Sequence, residues 1–422
     1  MSVLSGELDD GSGRRVYEQI SRPPARAVRC LVTATVVSAS GDGVRFVALP
    51  LLALKLAPDP RAVALVYFTQ FLPWLLFTVP AGTLVDRLDN RRLMIGVDTV
   101  RTVIVGAAGI AVALGHNSVA LLAALGFLVA CGEVLMDSAT SASLPTWVAR
   151  PGLEAANGKL QAGRLAASKM AGPLVGALLW TLSPYACFLF DALSYGTSAV
   201  LLCFLPRRPS ASKDRAGQPK ERWRALSGIR WVMRHRRLRA LVVVDMALSL
   251  VAGALLPILV LFCRRILHLN STGYSLVLVA SAVGGVMGAL LAGTLVTRLG
   301  RGVVVMFAMA ADVLVLAVGA VASALPVGVA AFVVFGAATA LLNVLVAAYR
   351  QSQAPPHMAG RIASCHLFVT VGCAPVGALV GGLVAHVYGL RAPLAAGALL
   401  LAAAGLAAIP AWRRNHALGI LR

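Results

Sequence analysis

The chain has 422 residues, of which 59% are hydrophobic and only 13% charged, and its mean hydropathy is +0.81. A soluble globular domain is about 25% charged, so a water-soluble fold around one buried core is excluded and lipid is the expected solvent. Lys and Arg number 38 against 17 Asp and Glu, a formal charge of +21; so basic a balance raises nucleic acid as a partner, a reading that the placement of those residues rejects.

Twelve apolar blocks follow in chain order: 29–55, 62–85, 93–114, 118–142, 159–182, 185–206, 240–263, 272–296, 303–322, 325–349, 362–386 and 391–411. A bilayer core takes roughly 20 residues of helix, and in lipid a helix satisfies its own backbone groups. The blocks therefore predict an all-α polytopic membrane protein with twelve transmembrane helices in two six-helix bundles. Lys159, Arg164 and Lys169 predict that the fifth block begins along the membrane surface. Residues 1–28 read as a polar tail without a cleavable signal, because the first apolar run is too long for one. Residues 29–206 form the first bundle, 207–239 a basic linker, 240–411 the second bundle and 412–422 a second tail. Within the linker, ERWRALSGIRWVMRHRRL places Trp223, Leu226, Ile229 and Val232 or Met233 on one face, the pattern of an amphipathic surface helix.

Orientation follows from the basic residues. With the N-terminus cytoplasmic, inner segments hold 31 of the 38 Lys and Arg and outer loops hold five, while Arg45 and Arg101 lie inside helices. Both termini are therefore expected in the cytoplasm. The arginines sit where they contact anionic headgroups, and nucleic acid is not an expected partner. The seven cysteines stand singly in apolar runs and read as small hydrophobes, with neither a disulfide nor a metal expected. Arginine outnumbers lysine 33 to 5, a bias that fits a GC-rich bacterial genome and hence a bacterial plasma membrane.

GTLVDRLDNRR after the second block returns as GTLVTRLGR after the eighth, and GRLAAS (163–168) is echoed by GRIASC (360–365). Repeats at half the chain length indicate two parallel halves, the organisation of a two-bundle transporter. The first copy resembles the signature loop of the major facilitator superfamily. The resemblance implies that Gly82 allows close helix approach and that Asp86, Arg87, Arg91 and Arg92 latch the two halves in one conformation. Asp89-Asn90 depart from the usual Gly-Arg, and Thr297 replaces the acid in the second copy. SGDGVRFVALPLLAL (40–54), VDTVR (97–101), FDALSYGTSAVLL (190–202) and PVGALVGGL (375–383) resemble the bacterial exporter branch related to enterobactin and macrolide efflux transporters. SKMAGPLVGA (168–177) resembles the exporter motif of the fifth helix, retaining Gly172, Pro173 and Gly176. Proline bends a helix, and small residues allow tight packing, expected here to be against the other half.

No phosphate-binding GxxxxGK[ST] is present; the run Gly284 to Gly288 is apolar and lacks the lysine. An enzyme is not expected, no cofactor is implied, and transport would draw on a proton gradient. Ionisable groups inside a membrane are costly and tend to be functional. The resemblance places helices 1, 4, 7 and 10 around the central cavity, which selects Glu133, Asp42 and Asp137 as proton-coupling candidates. Glu133 ranks first because no basic residue lies within a turn of it. Arg45, three residues from Asp42, is its candidate charge partner, and Asp98 with Arg101 reads as a structural pair. Asp137 and Asp245 read equally as interfacial groups, and Asp191 and Asp312 as fold-stabilising ones on peripheral helices.

Tyr67, Gln70, Phe71 and Trp74 share one helical face and, with Asn343, are the substrate-cavity candidates, although such aromatics also serve as packing. An apolar, aromatic lining suits a hydrophobic or amphipathic small molecule, cationic if Glu133 faces it. The resulting reading is a secondary active transporter that exports such a molecule, a drug or secondary metabolite, by proton antiport with alternating access. Alternatives are an importer or uniporter, and a non-transporting sensor with a degenerate transporter fold. A monomer suffices for the fold.

Overall fold

The computed structural model describes residues 25–205 apart from 86 and 149, then 235–321, 325–353 and 359–413. Asp86, the linker up to residue 234 with its amphipathic stretch, and both tails lie outside the described residues.

Each apolar block becomes a helix. They are α1 (Ala25–Leu56), α2 (Pro60–Val85), α3 (Asn90–Ala113), α4 (Val119–Trp147), α5 (Arg150–Leu165, a π-helical turn Ala166–Ala171, then Gly172–Leu182), α6 (Pro184–Cys203), α7 (Arg236–Arg265), α8 (Ser271–Leu299), α9 (Arg301–Val321), α10 (Leu325–Gln353), α11 (Ala359–Tyr388) and α12 (Ala392–Arg413). No strand occurs among the described residues. Among the described residues eleven helices are long and apolar enough to cross a membrane, and the described apolar part of α11 covers Gly372–Tyr388. Large side chains such as Leu290 (77% exposed) and Phe307 (74%) point outward, an arrangement that lipid tolerates and water does not. The protein is a multi-pass, all-α membrane protein.

Short polar caps stop the helices. Asp89 accepts from the Arg92 N–H to start α3, Ser118 from Leu121 N–H to start α4, and Asn270 from Gly273 N–H to start α8. The departure at Asp89 in the signature loop is thus an N-cap. Gly300, at φ +80°, ends α8 in a conformation that L side chains rarely adopt.

Glycines set the helix seams. A Cβ on Gly284 or Gly288 would lie 2.0 or 2.1 Å from the carbonyls of Val333 or Ala337, so α8 and α10 meet backbone to backbone. Gly253 and Gly377 do the same for α7 and α11. Gly172 stands against Gly43 and Gly176 against Val44, both on α1. This corrects the expected role of the exporter motif: its glycines press α5 onto α1 of their own half, while Pro173 faces the space between the halves.

The two halves are sealed at the end opposite residues 25 and 413. There a single buried cluster combines Val44, Val47, Leu49, Leu52, Val63 and Val66 with Ile258–Cys263, Tyr274 and Ala385. At the other end the buried clusters stay within one half each among the described residues. Polar contacts clasp the sealed end: His386 Nδ1 of α11 lies 3.3 Å from Asp59 Oδ1, and Arg265 Nη2 donates to the Pro58 carbonyl at 2.7 Å. Hydrogen bonds from the Arg61 guanidinium hold the Asp59 carboxyl below the usual carboxylate range, so the clasp keeps its negative partner in mildly acidic surroundings. Among the described residues of the latch, none bridges the halves here. Gly82 has no neighbour within 4 Å of a built Cβ, Arg87 is exposed, and Arg91 donates to the Cys203 carbonyl of its own half. In a cysteine-free background, Asp59→Cys with His386→Cys should be joined by a short bifunctional thiol reagent in purified protein. Absence of the cross-linked species on a mass spectrum would contradict this closure.

Candidate functional site

Four helices of the first half bring charged side chains together at one point inside the bundle. Asp42 and Arg45 sit one turn apart on α1, Asp98 and Arg101 on α3, and Asp191 and Tyr195 on α6, while Glu133 comes from α4. Arg45 is the hub. Its Nε donates to Asp191 Oδ2 at 2.8 Å, and its Nη2 to Asp42 Oδ1 at 2.8 Å and Glu133 Oε1 at 2.7 Å. The Tyr195 hydroxyl donates to Asp42 and accepts from Arg45 Nη2 at 3.3 Å. Arg101 approaches from the other side, 3.5 Å from Asp98, 3.6 Å from Glu133 and 3.9 Å from Asp42. Its guanidinium carbon lies 4.3 Å from the centre of the Tyr195 ring, a cation–π contact.

Two glycines make room for this cluster. A Cβ on Gly41 would lie 2.1 Å from Ser194 Oγ and 2.5 Å from Asp191 Oδ1, so only glycine lets α6 bring Asp191 to Arg45. A Cβ on Gly132 would lie 2.8 Å from Arg101 Cδ, so the same holds where Arg101 crosses α4. Arg45, Arg101 and Asp191 are sealed at 4%, 2% and 0% exposure, whereas Asp42 and Glu133 each keep 22%. Those two are therefore the carboxylates through which the cluster meets its surroundings. Four carboxyl groups face two guanidiniums, so the cluster carries more acid than base.

The sequence candidates fare differently. Glu133 and Asp42 come together with Arg45. Glu133, which has no basic residue within a turn, finds its basic partners on α1 and α3, so the condition set for a cationic cargo, a Glu133 free to face it, is not met. Asp191 joins the same hub instead of serving a peripheral helix alone, and Tyr195 is a member of the site that sequence reasoning misses. Their spacing on FDALSYG is the signal available to find them. Asp137 stands apart, paired with Arg164 of α5 at 2.6 Å. In the second half, Asp312 is fully buried on α9 and Asp245 nearly so on α7.

A cavity of about 350 Å³ lies mainly within the second half and is bounded on one side by the first. Its walls are mostly α7 to α10, including Leu255, Leu259, Phe262, Phe332 and Phe335, with Ser281, Thr339 and Asn343 as neutral polar groups. The first half contributes Phe46, Lys169 and Pro173. Asn343 thus lines the cavity as expected. Tyr67 and Gln70 line instead a small separate recess with Phe46 and Tyr274, Phe71 stacks on Tyr67 at 4.8 Å, and neither Phe71 nor Trp74 lines either space. The aromatic face of α2 is mainly packing. Lys169 corrects a second expectation: the helix around it is not at the surface, and its side chain is exposed to the cavity.

A family model described as a transmembrane secretion effector, one of the major facilitator families, matches residues 23–416. The multidrug efflux pump Tap of Mycobacterium tuberculosis is 29% identical over 389 residues, 90% of this chain and 92% of that protein. Among solved structures, a mutant form of the nucleoside transporter NupG superposes with a TM-score of 0.78 at 14% identity, covering 92% of this chain and all of that one. A bacterial homologue of the iron transporter ferroportin in an inward-facing state gives 0.72 at 16% identity, over 92% and 99% of the two chains. These likenesses confirm the fold.

Removing the hub should be far costlier than removing one of its spokes. Arg45→Gln strands three buried or half-buried carboxylates and should destabilise the purified protein by about 3–5 kcal/mol. Tyr195→Phe keeps the ring over Arg101 and loses only hydroxyl contacts, about 1 kcal/mol. Equal thermal unfolding of the two variants would contradict the hub assignment.

Proposed function

The chain belongs to the transmembrane secretion effector family of the major facilitator superfamily, and on that premise we propose that it exports a hydrophobic or amphipathic small molecule in exchange for protons. The observation that carries this reading is the adjacency of an apolar cavity to a buried acid-rich cluster. An apolar chamber with few polar groups recognises a greasy cargo by burial and shape, and the efflux function named for the Tap relative supports outward movement.

The coupling step uses the imbalance of the cluster. Asp42 and Glu133 accept from the same nitrogen of Arg45. A proton on Glu133 removes its claim on that nitrogen and leaves Asp42 as the main acceptor. Loss of the proton restores the shared arrangement. Proton occupancy thereby alters how tightly α4 is held to α1, and the exposed edges of Asp42 and Glu133 are where protons enter and leave. The distribution of Lys and Arg supports cytoplasmic termini; on that reading the sealed end is the outer one, and this conformation serves as the inward-open state of an alternating-access cycle. The Asp59–His386 clasp then closes the outside, and the signature loop would close the inside in the opposite state.

Expression in a pump-deficient bacterial host tests the proposal. Cells should retain less of an apolar fluorescent dye such as N-phenyl-1-naphthylamine than vector controls, and a protonophore should abolish the difference. Equal retention would overturn the export reading, and efflux indifferent to the protonophore would overturn proton coupling.

A further inference from the structure

Lys169 is the single ionisable side chain that lines the cavity among the described residues, and the coupling scheme gives it no task. It stands on the π-helical turn Ala166–Ala171 of α5, directly before Gly172 and Pro173. Such turns are rare, and they occur frequently at functional sites because they displace side chains from the regular helical face. Here the turn lies where α5 presses on α1: a Cβ on Gly43 would be 2.6 Å from the Ser168 carbonyl. Lys169, next to that contact, lines the chamber with its ammonium over Phe46 of α1, and Pro173 lies one turn further along the same wall.

An ammonium in this position needs an explanation, because a charge inside the membrane costs at least about 2.5–3.5 kcal/mol. Lys169 Nζ lies 4.4 Å from the ring centre of Phe46, another cavity residue, so one aromatic face partly compensates it. The carboxylates whose field reaches it are Glu133 and Asp42, with Arg164 opposing. Both carboxylates already accept from Arg45, and no ion pair joins either of them to Lys169 among the described residues. The ammonium therefore borders a chamber whose other polar groups are the neutral Ser281, Thr339 and Asn343.

We infer that Lys169 is the charge-selecting residue of the cargo site, and that the preferred cargo is an amphipathic organic anion: an apolar body with one carboxylate, sulfonate or phosphate. The inference rests on the reading of this cavity as the cargo site. The apolar body packs on the walls of α7 to α10, and the anionic oxygens accept from Nζ where Phe46 and Pro173 hold it. A cation of the same shape would meet an unneutralised ammonium and be rejected.

The test uses two probes with a common arylnaphthylamine body, anionic 8-anilino-1-naphthalenesulfonate and uncharged N-phenyl-1-naphthylamine. Binding of each to the full chain in lipid nanodiscs is measured with empty nanodiscs subtracted. Lys169→Gln should weaken the anionic probe about tenfold, the loss of one charge-assisted contact, and leave the neutral probe within about twofold. Lys169→Arg should retain the anionic probe. Equal weakening of both probes, or of neither, would overturn the inference while leaving the apolar cargo reading intact. Binding of neither probe to the wild-type protein would overturn both.

Discussion

Arg45 has to be neutralised wherever the chain folds, because a guanidinium at 4% exposure in a lipid-embedded bundle has no water to turn to. Three carboxylates, from α1, α4 and α6, meet that need, and a second guanidinium from α3 completes the cluster. One electrostatic requirement thus fixes the mutual placement of four helices in the first half. It also dictates two glycines, since any side chain at position 41 or 132 would occupy the space of Asp191 or Arg101. The second half is held together differently. Its seams are glycine against carbonyl, and its inner wall is apolar.

This asymmetry gives the halves different tasks. The second half shapes the chamber, and the first supplies its charge. Arg45 and its partners lie behind the wall, with Asp42 and Glu133 as the open edge, while Phe46 and Lys169 form the wall itself. Phe46 is one turn from Asp42 on α1, so the cavity wall and the charged cluster share a single helix. On the proposed function, a change of protonation in the cluster would reach the proposed cargo site through a rigid element, with no intervening loop. The glycine contacts of α5 with α1 keep Lys169 and Pro173 in the same unit.

Much of the fold is legible in the sequence because bilayer thickness and backbone satisfaction leave few options. Twelve apolar blocks become twelve helices, with edges shifted mainly where polar residues extend a helix beyond the lipid, as at α4 and α10. The repeated loop discloses the duplicated plan. The site is legible only in part. Asp42 with Arg45 and Asp98 with Arg101 are local pairs visible at i, i+3. The bonds from Arg45 to Asp191 and to Glu133 join residues 146 and 88 positions apart, and only the packing of helices discloses them. Glu133 looks unpartnered when a single helix is considered. Lys169 looks interfacial because basic residues near a helix start usually are; the π turn that redirects it has no sequence signature. The aromatic face of α2 has the same spacing whether it lines a cavity or packs, and packing wins.

The central claim is that the cluster around Arg45 exchanges a proton when cargo binds. The most direct measurement is proton release from purified, weakly buffered protein on addition of N-phenyl-1-naphthylamine near neutral pH. The account predicts release of roughly one proton per bound molecule, abolished in the double variant Asp42→Asn, Glu133→Gln, which still binds the dye. Unchanged proton release in that variant, or dye binding by the wild-type protein with no release, would contradict it.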